Sequence, residues 1–233
     1  NSPYFHEAMD YGRKSWAGDM ALRANLRLDQ LILGAMVQPA ALGIYSVAVR
    51  LAELIWFIPD AAGPVLFNAI AACKENDERV FILARTHRII FTVCVFLALA
   101  WLLLIRFIVL PFVLNGPYGE VLPLLVILVP GTLFLVSSKM VTKLLSSTGQ
   151  VIYTTRITVI GSAVSVLLYF LLIPLSGPYG AAIASTLGYG VLALAGWVVI
   201  RQRYVCKFRE FFIPKSSDWV WIAGKYNSLW KGK

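Results

Sequence analysis

Arg23 and Arg27, four residues apart, and Arg50, Glu53, Phe57 and Asp60, spaced three and four apart, set one polar stripe along each of two otherwise apolar helical stretches. An ionised side chain near the centre of a bilayer costs about 2.5 kcal/mol or more. Such groups must face protein or water, so paired stripes predict a polar interior within a membrane bundle. Lys139 and Lys143, one turn apart with Ser138, Thr142 and Ser146 beside them, add two further cations. Arg27, Arg50 and Lys139, followed by Arg23 and Lys143, are the candidate contacts for an anionic substrate. Asp29, Glu53 and Asp60 are the candidates for ion coupling. Asp60 lies between Pro59 and Pro64, and a carboxylate beside freed backbone carbonyls can hold a cation or a proton. The five cations outnumber the three acids, which suits an anionic cargo.

This is chemistry of binding and carrying. The chain has no phosphate-cradling GxxxxGK[ST] run, no His and Cys metal cluster, and no nucleophile with a matching base. No cofactor or metal is implied. His6, Glu7 and Asp10 read as solvated lead-in, because the ligands that would close a metal site are missing.

The elements that must position these groups follow from hydropathy. Of 233 residues 59% are hydrophobic and 14% charged, with a mean hydropathy of +0.74, values that belong to membrane proteins. A bilayer core needs about 20 helical residues to cross. Six stretches qualify: 16–37, 42–72, 89–110, 121–146, 151–173 and 180–200. They predict an all-α integral membrane protein, with a lead-in at 1–15, a six-helix transmembrane bundle at 16–200 and a basic, aromatic tail at 201–233. The second stretch is long enough to protrude beyond the bilayer and is expected to bend at Pro59 and Pro64. Residues 73–88 read as a mixed-charge linker with a short amphipathic helix on the membrane surface, and His87 as an interfacial residue.

The net charge of +9 is explained by topology rather than by nucleic acid. The connections at 38–41, 111–120 and 174–179 contain no Lys or Arg, whereas the opposite side carries fifteen, eight of them from Arg201 onward. Cytoplasmic loops collect basic residues, so both termini are expected in the cytoplasm. The tail, whose basic residues alternate with Phe208, Phe211, Phe212, Trp219, Trp221 and Trp230, is expected to lie on anionic membrane lipid. Cys73, Cys94 and Cys206 offer no disulfide framework. Gly116-Pro117-Tyr118-Gly119 recurs as Gly177-Pro178-Tyr179-Gly180, with Gly43-Ile44-Tyr45 a weaker relative, each at the turn that admits an even-numbered helix. That repeat predicts three helical hairpins side by side.

Arg27-Leu-Asp29 followed by Leu33-Gly34, then Gly43 to Ala48, Leu51-Ala52-Glu53 and the run from Pro59 to Ala72, resemble the seventh and eighth helices of bacterial polysaccharide flippases. These are the O-antigen and exopolysaccharide exporters of the multidrug, oligosaccharidyl-lipid and polysaccharide exporter superfamily. The chain departs in having Asn68 after Leu66-Phe67, where family members often carry Pro. The resemblance implies one lobe of a MATE-like two-lobed transporter, with an N-terminal transmembrane half as the missing partner. It also implies a cargo: a lipid-linked oligosaccharide, held through polyprenyl pyrophosphate and moved across the bacterial inner membrane. Two alternatives remain open at this point. A cation-coupled multidrug exporter of the same superfamily would favour an acidic cavity, and a membrane enzyme of polysaccharide assembly would need catalytic groups on loops that offer only Glu120.

Overall fold

The protein, seen in a computed structural model, is described over residues 3–112, 116–206, 209–215 and 218. Among these, every regular element is helical. The first helix, α1 (Pro3–Met36), stops where Gln38 turns extended, with φ −64° and ψ 148°. The proline that follows forces this, since it disfavours helical geometry in its predecessor while fitting the first turn of the next helix. α2 (Pro39–Glu53) therefore starts at Pro39.

α2 passes through a 3₁₀ turn at Leu54–Trp56 into α3 (Phe57–Ala72). The sequence placed bends at Pro59 and Pro64. In the structure the helix runs on through Pro64, and the change of geometry lies one turn before Pro59. Pro59 has no N–H to offer the Ile55 carbonyl and its ring crowds that oxygen, so the strain falls on the preceding turn. The Cys94 thiol points at the freed Ile55 oxygen from 4.0 Å, and Trp101 Nε1 donates to Leu51 O at 2.9 Å.

α4 (Asn76–Leu104) is continuous from the first polar residues into the apolar stretch, so residues 76–88 are the start of a crossing helix rather than a separate surface helix. A π turn at Ile105–Val109, the single turn α5 (Leu110–Phe112) and a 3₁₀ turn at Gly116–Glu120 lead into α6 (Val121–Ser147). α7 (Val151–Arg203) has 53 residues and doubles back at Gly177. There φ is +53° and ψ −127°, a backbone region essentially confined to glycine. The two legs then pack antiparallel. A Cβ on Gly188 would collide with Ser165 Oγ, and one on Gly161 with Leu192, so these glycines let the legs touch along their length. A last short helix, α8 (Arg209–Phe212), follows.

Four helical stretches among the described residues are long and apolar enough to cross a membrane: Pro39–Ala72, Asn76–Val109, Tyr118–Ser147 and Val151–Arg203. The last supplies two legs; α1, which carries Arg23, Arg27 and Asp29 and is not among the four, packs against them as the sixth helix of the bundle. The helices do not pack as three hairpins side by side. α1 lies chiefly against α7 and touches α2 only sparingly, while α6 is the hub, meeting α2, α3, α4 and α7. Of the hairpins, it is α7 whose two legs close tightly on each other. One end of the bundle gathers Lys74, Arg79, Arg156, Arg201 and Arg203 and is called the basic end below; the other holds the turns at 37–39, 116–120 and 177.

Candidate functional site

The break before α3 sets the site. A 3₁₀ turn has three residues per turn, which aligns side chains at i and i+3. Glu53 and Trp56 are brought onto one line, and Asp60 continues it four residues on. Phe57, which even helical spacing would have placed there, is turned outward and 72% exposed. The cavity stripe is thus Glu53, Trp56 and Asp60 rather than Arg50, Glu53, Phe57 and Asp60.

These three residues form one wall of a cavity of about 490 Å³. α1 supplies Arg23, Leu26 and Arg27, and α6 supplies Lys139, Thr142 and Lys143. Arg27 Nη1 is 3.1 Å from Glu53 Oε1, and Arg50 Nη1 is 3.3 Å from Glu53 Oε2. Lys139 Nζ donates to Asp60 Oδ1 at 2.7 Å and sits 4.7 Å above the ring of Trp56. The Lys143 stem runs along α3, with Cε 3.0 Å from where a Cβ on Gly63 would stand; any larger residue there would push the amine aside. Four cations and two carboxylates line the cavity, a formal excess of two positive charges.

Of the eight residues singled out in the sequence, the structure brings six to this cavity: Arg23, Arg27, Glu53, Asp60, Lys139 and Lys143. Arg50 stands outside it, solvent-exposed, and reaches the group through Glu53. Asp29 is 2% exposed and lies behind it. Its Oδ2 accepts from Tyr45 OH at 2.7 Å and its Oδ1 from the Gln30 N–H at 2.7 Å. Tyr45 OH is 3.4 Å and Tyr169 OH 3.1 Å from Ser185 Oγ, completing a buried polar chain across α1, α2 and α7. A void of about 10 Å³, about the space of one water, separates Asp29 from the cavity wall and is bounded by Asp29, Glu53, Trp56, Thr132 and Ser185 among others.

Sequence spacing missed Trp56, although it sits three residues after Glu53 and four before Asp60. It also missed Tyr45, Tyr169 and Ser185, which meet only through tertiary packing and leave no pattern in the chain. A second cluster went unread at the basic end. His87 is buried, with Nε2 2.7 Å from Ser137 Oγ and Nδ1 2.9 Å from Phe211 O. Arg88 holds Asp218 through two hydrogen bonds of 2.7 and 2.8 Å and also reaches the Glu210 carbonyl. His87 is therefore a core residue rather than an interfacial one. The described part of the tail is docked into the bundle, with Phe211 fully buried, because α4 offers it a cationic and aromatic seat. Phe208, Trp219, Trp221 and Trp230 and the side chains of His6, Glu7 and Asp10 lie outside the described residues.

The family described as Polysaccharide biosynthesis protein matches residues 1–123, just over half of the chain. The chain belongs to that family. Among solved structures, it is similar to one described as the outward-facing conformation of a multidrug resistance MATE family transporter of the MOP superfamily. The TM-score is 0.67 at 17% identity, over 91% of this chain and 49% of that one. The fold is thus that of one lobe of a MATE-type transporter, and the chain spans about half the length of that structure. No curated protein matches the sequence.

Proposed function

We propose that this polysaccharide-family chain forms the C-terminal half of a bacterial flippase for lipid-linked oligosaccharide, such as an O-antigen unit on polyprenyl pyrophosphate. It works with an N-terminal transmembrane half and moves its cargo from the inner to the outer leaflet by alternating access. Family and fold point to a membrane exporter rather than an enzyme. The observation that carries the cargo reading is the cavity in which four cations face two carboxylates.

A pyrophosphate spreads its charge over several oxygens, which guanidinium groups meet with paired hydrogen bonds and ammonium groups as point charges. Glu53 and Asp60 hold Arg27 and Lys139 within the cavity. With Asp60 59% and Arg27 41% exposed at the side chain, such pairs contribute only about 0–1 kcal/mol each. An entering diphosphate displaces them. Arg23 and Lys143 have no ion-pair partner among the described residues and meet the anion first. Displacement of Arg27 leaves Glu53 paired with Arg50 alone, beside the small void that separates it from Asp29, which gives a coupling proton or cation a place to act. The positive excess opposes a cationic drug as cargo. The basic end faces the cytoplasm, and both termini with it.

Arg27→Ala and Lys139→Ala test the reading. Each is expected to reach the membrane folded, by thermal unfolding in detergent, while glycan export falls about tenfold or more, equivalent to roughly 1.4 kcal/mol of barrier. Wild-type export from a folded double variant would remove the cavity from the mechanism.

A further inference from the structure

On the far side of α6 from the charged cavity runs a second depression, of about 600 Å³. Phe134 and Ser137 of α6 line it, whereas Lys139, Thr142 and Lys143 line the cavity. At 100° per residue these two sets project in opposite directions from one helix. The groove's other walls are Phe91 of α4, the second leg of α7 from Thr186 to Trp197, and Phe212 of α8. Gly190 forms part of its floor: the position of a Cβ there is 3.6 Å from the Phe134 ring.

Three features define what fits. The two hydroxyls of the wall are satisfied from within: Thr186 Oγ1 donates to Ile127 O at 2.7 Å, and Ser137 Oγ is bonded to His87. Apart from the buried Trp197 indole N–H the rest of the lining is apolar, too little to recognise a sugar or a peptide, so the occupant is hydrocarbon. The rim is open on the bundle surface, with Phe134 45%, Leu187 50% and Leu194 67% exposed. The α7 wall from Thr186 to Trp197 rises about 16 Å at 1.5 Å per residue, close to half of the roughly 30 Å hydrocarbon core, which is the depth of one leaflet. Arg201, exposed, continues the same helical face one turn beyond Trp197, at the basic end.

We propose that this groove holds one acyl chain of an anionic phospholipid from the leaflet at the basic end, with the lipid phosphate on Arg201. A cargo whose pyrophosphate sits in the charged cavity reaches the groove only by passing its tail around α6, on whose opposite faces the two sites lie. The site is separate from the export cavity, so Arg201→Gln leaves the cavity cations in place and its failure does not bear on them.

Native mass spectrometry of the full-length protein, released from micelles containing equal phosphatidylglycerol and phosphatidylcholine, tests it. One phosphatidylglycerol should be retained in preference to phosphatidylcholine by about fivefold, the worth of one basic residue near an anionic surface. Arg201→Gln should abolish the preference while lipid is still retained, and Gly190→Phe should remove the bound lipid of either type. Where Gly190→Phe fails to fold, Leu194→Trp at the exposed rim takes its place. Equal retention of the two lipids, or an unchanged preference in Arg201→Gln, overturns the proposal. So does displacement of the lipid by a polyprenyl phosphate at equal concentration, which would assign the groove to the cargo's tail.

Discussion

Asp218 shows how one side chain organises a distant segment. Its carboxyl is nearly inaccessible, paired with Arg88 and 3.6 Å from Arg85, and it also accepts the Lys215 N–H at 3.1 Å. The Arg88 hydrogen bonds hold its pKa below the ordinary 3.8. A depressed carboxylate stabilises the fold above its unfolded value and loses that contribution as pH falls through the folded one. Docking of the tail should therefore persist from neutrality down to about pH 4 and fail below it, as read by proteolysis within residues 205–215. Asp218→Asn should expose the same segment at neutral pH. Because it leaves Arg88 buried without its counter-charge, the cost is expected to be about 3 kcal/mol. Protection unchanged in that variant would show that Phe211 alone holds the tail.

The broken second crossing is the element on which the site depends. Glu53, Trp56 and Asp60 share a line only because Leu54–Trp56 is wound as 3₁₀, and that winding follows from the missing N–H of Pro59. Pro59→Ala restores a donor for Ile55 O and lets α2 and α3 join as one regular helix. Since Pro59 lies in the first turn of α3, where proline is well tolerated, stability should change by less than about 1 kcal/mol. Trp56 should rotate off the cavity wall, and glycan export should drop about tenfold at unchanged expression. Export at the parental rate would mean that the cavity tolerates regular helical register. The role of α6 is different: as the hub it presents its cations to one side and a greasy face to the other, so one helix separates the two pockets.

The bundle as a unit has a strong polarity of charge. Val205 is 99% exposed at the basic end, and Glu120 is exposed among the turns at the other. In a background with Cys73, Cys94 and Cys206 replaced by Ser or Ala, Val205→Cys should react with a membrane-impermeant maleimide only in inside-out vesicles. Glu120→Cys should react only in right-side-out ones. The reverse pattern would invert the orientation that the basic residues specify.

Hydropathy alone established that this chain is a multi-pass helical membrane protein, because the cost of burying backbone and charge in hydrocarbon leaves few ways to arrange such runs. Charge inside those runs likewise marks Arg23, Arg27, Glu53, Asp60, Lys139 and Lys143, since ions in apolar helices must find water or one another. Helical spacing could not show that Arg50 would stand outside the cavity, that Trp56 would replace Phe57 on its wall, or that Asp29 would be sealed behind it with Tyr45, Ser185 and Tyr169. Those outcomes depend on a local change of winding and on contacts between helices far apart in the chain. The docking of Asp218 on Arg88 is of the same kind: complementary charges 130 residues apart carry no periodicity, and only packing brings them together.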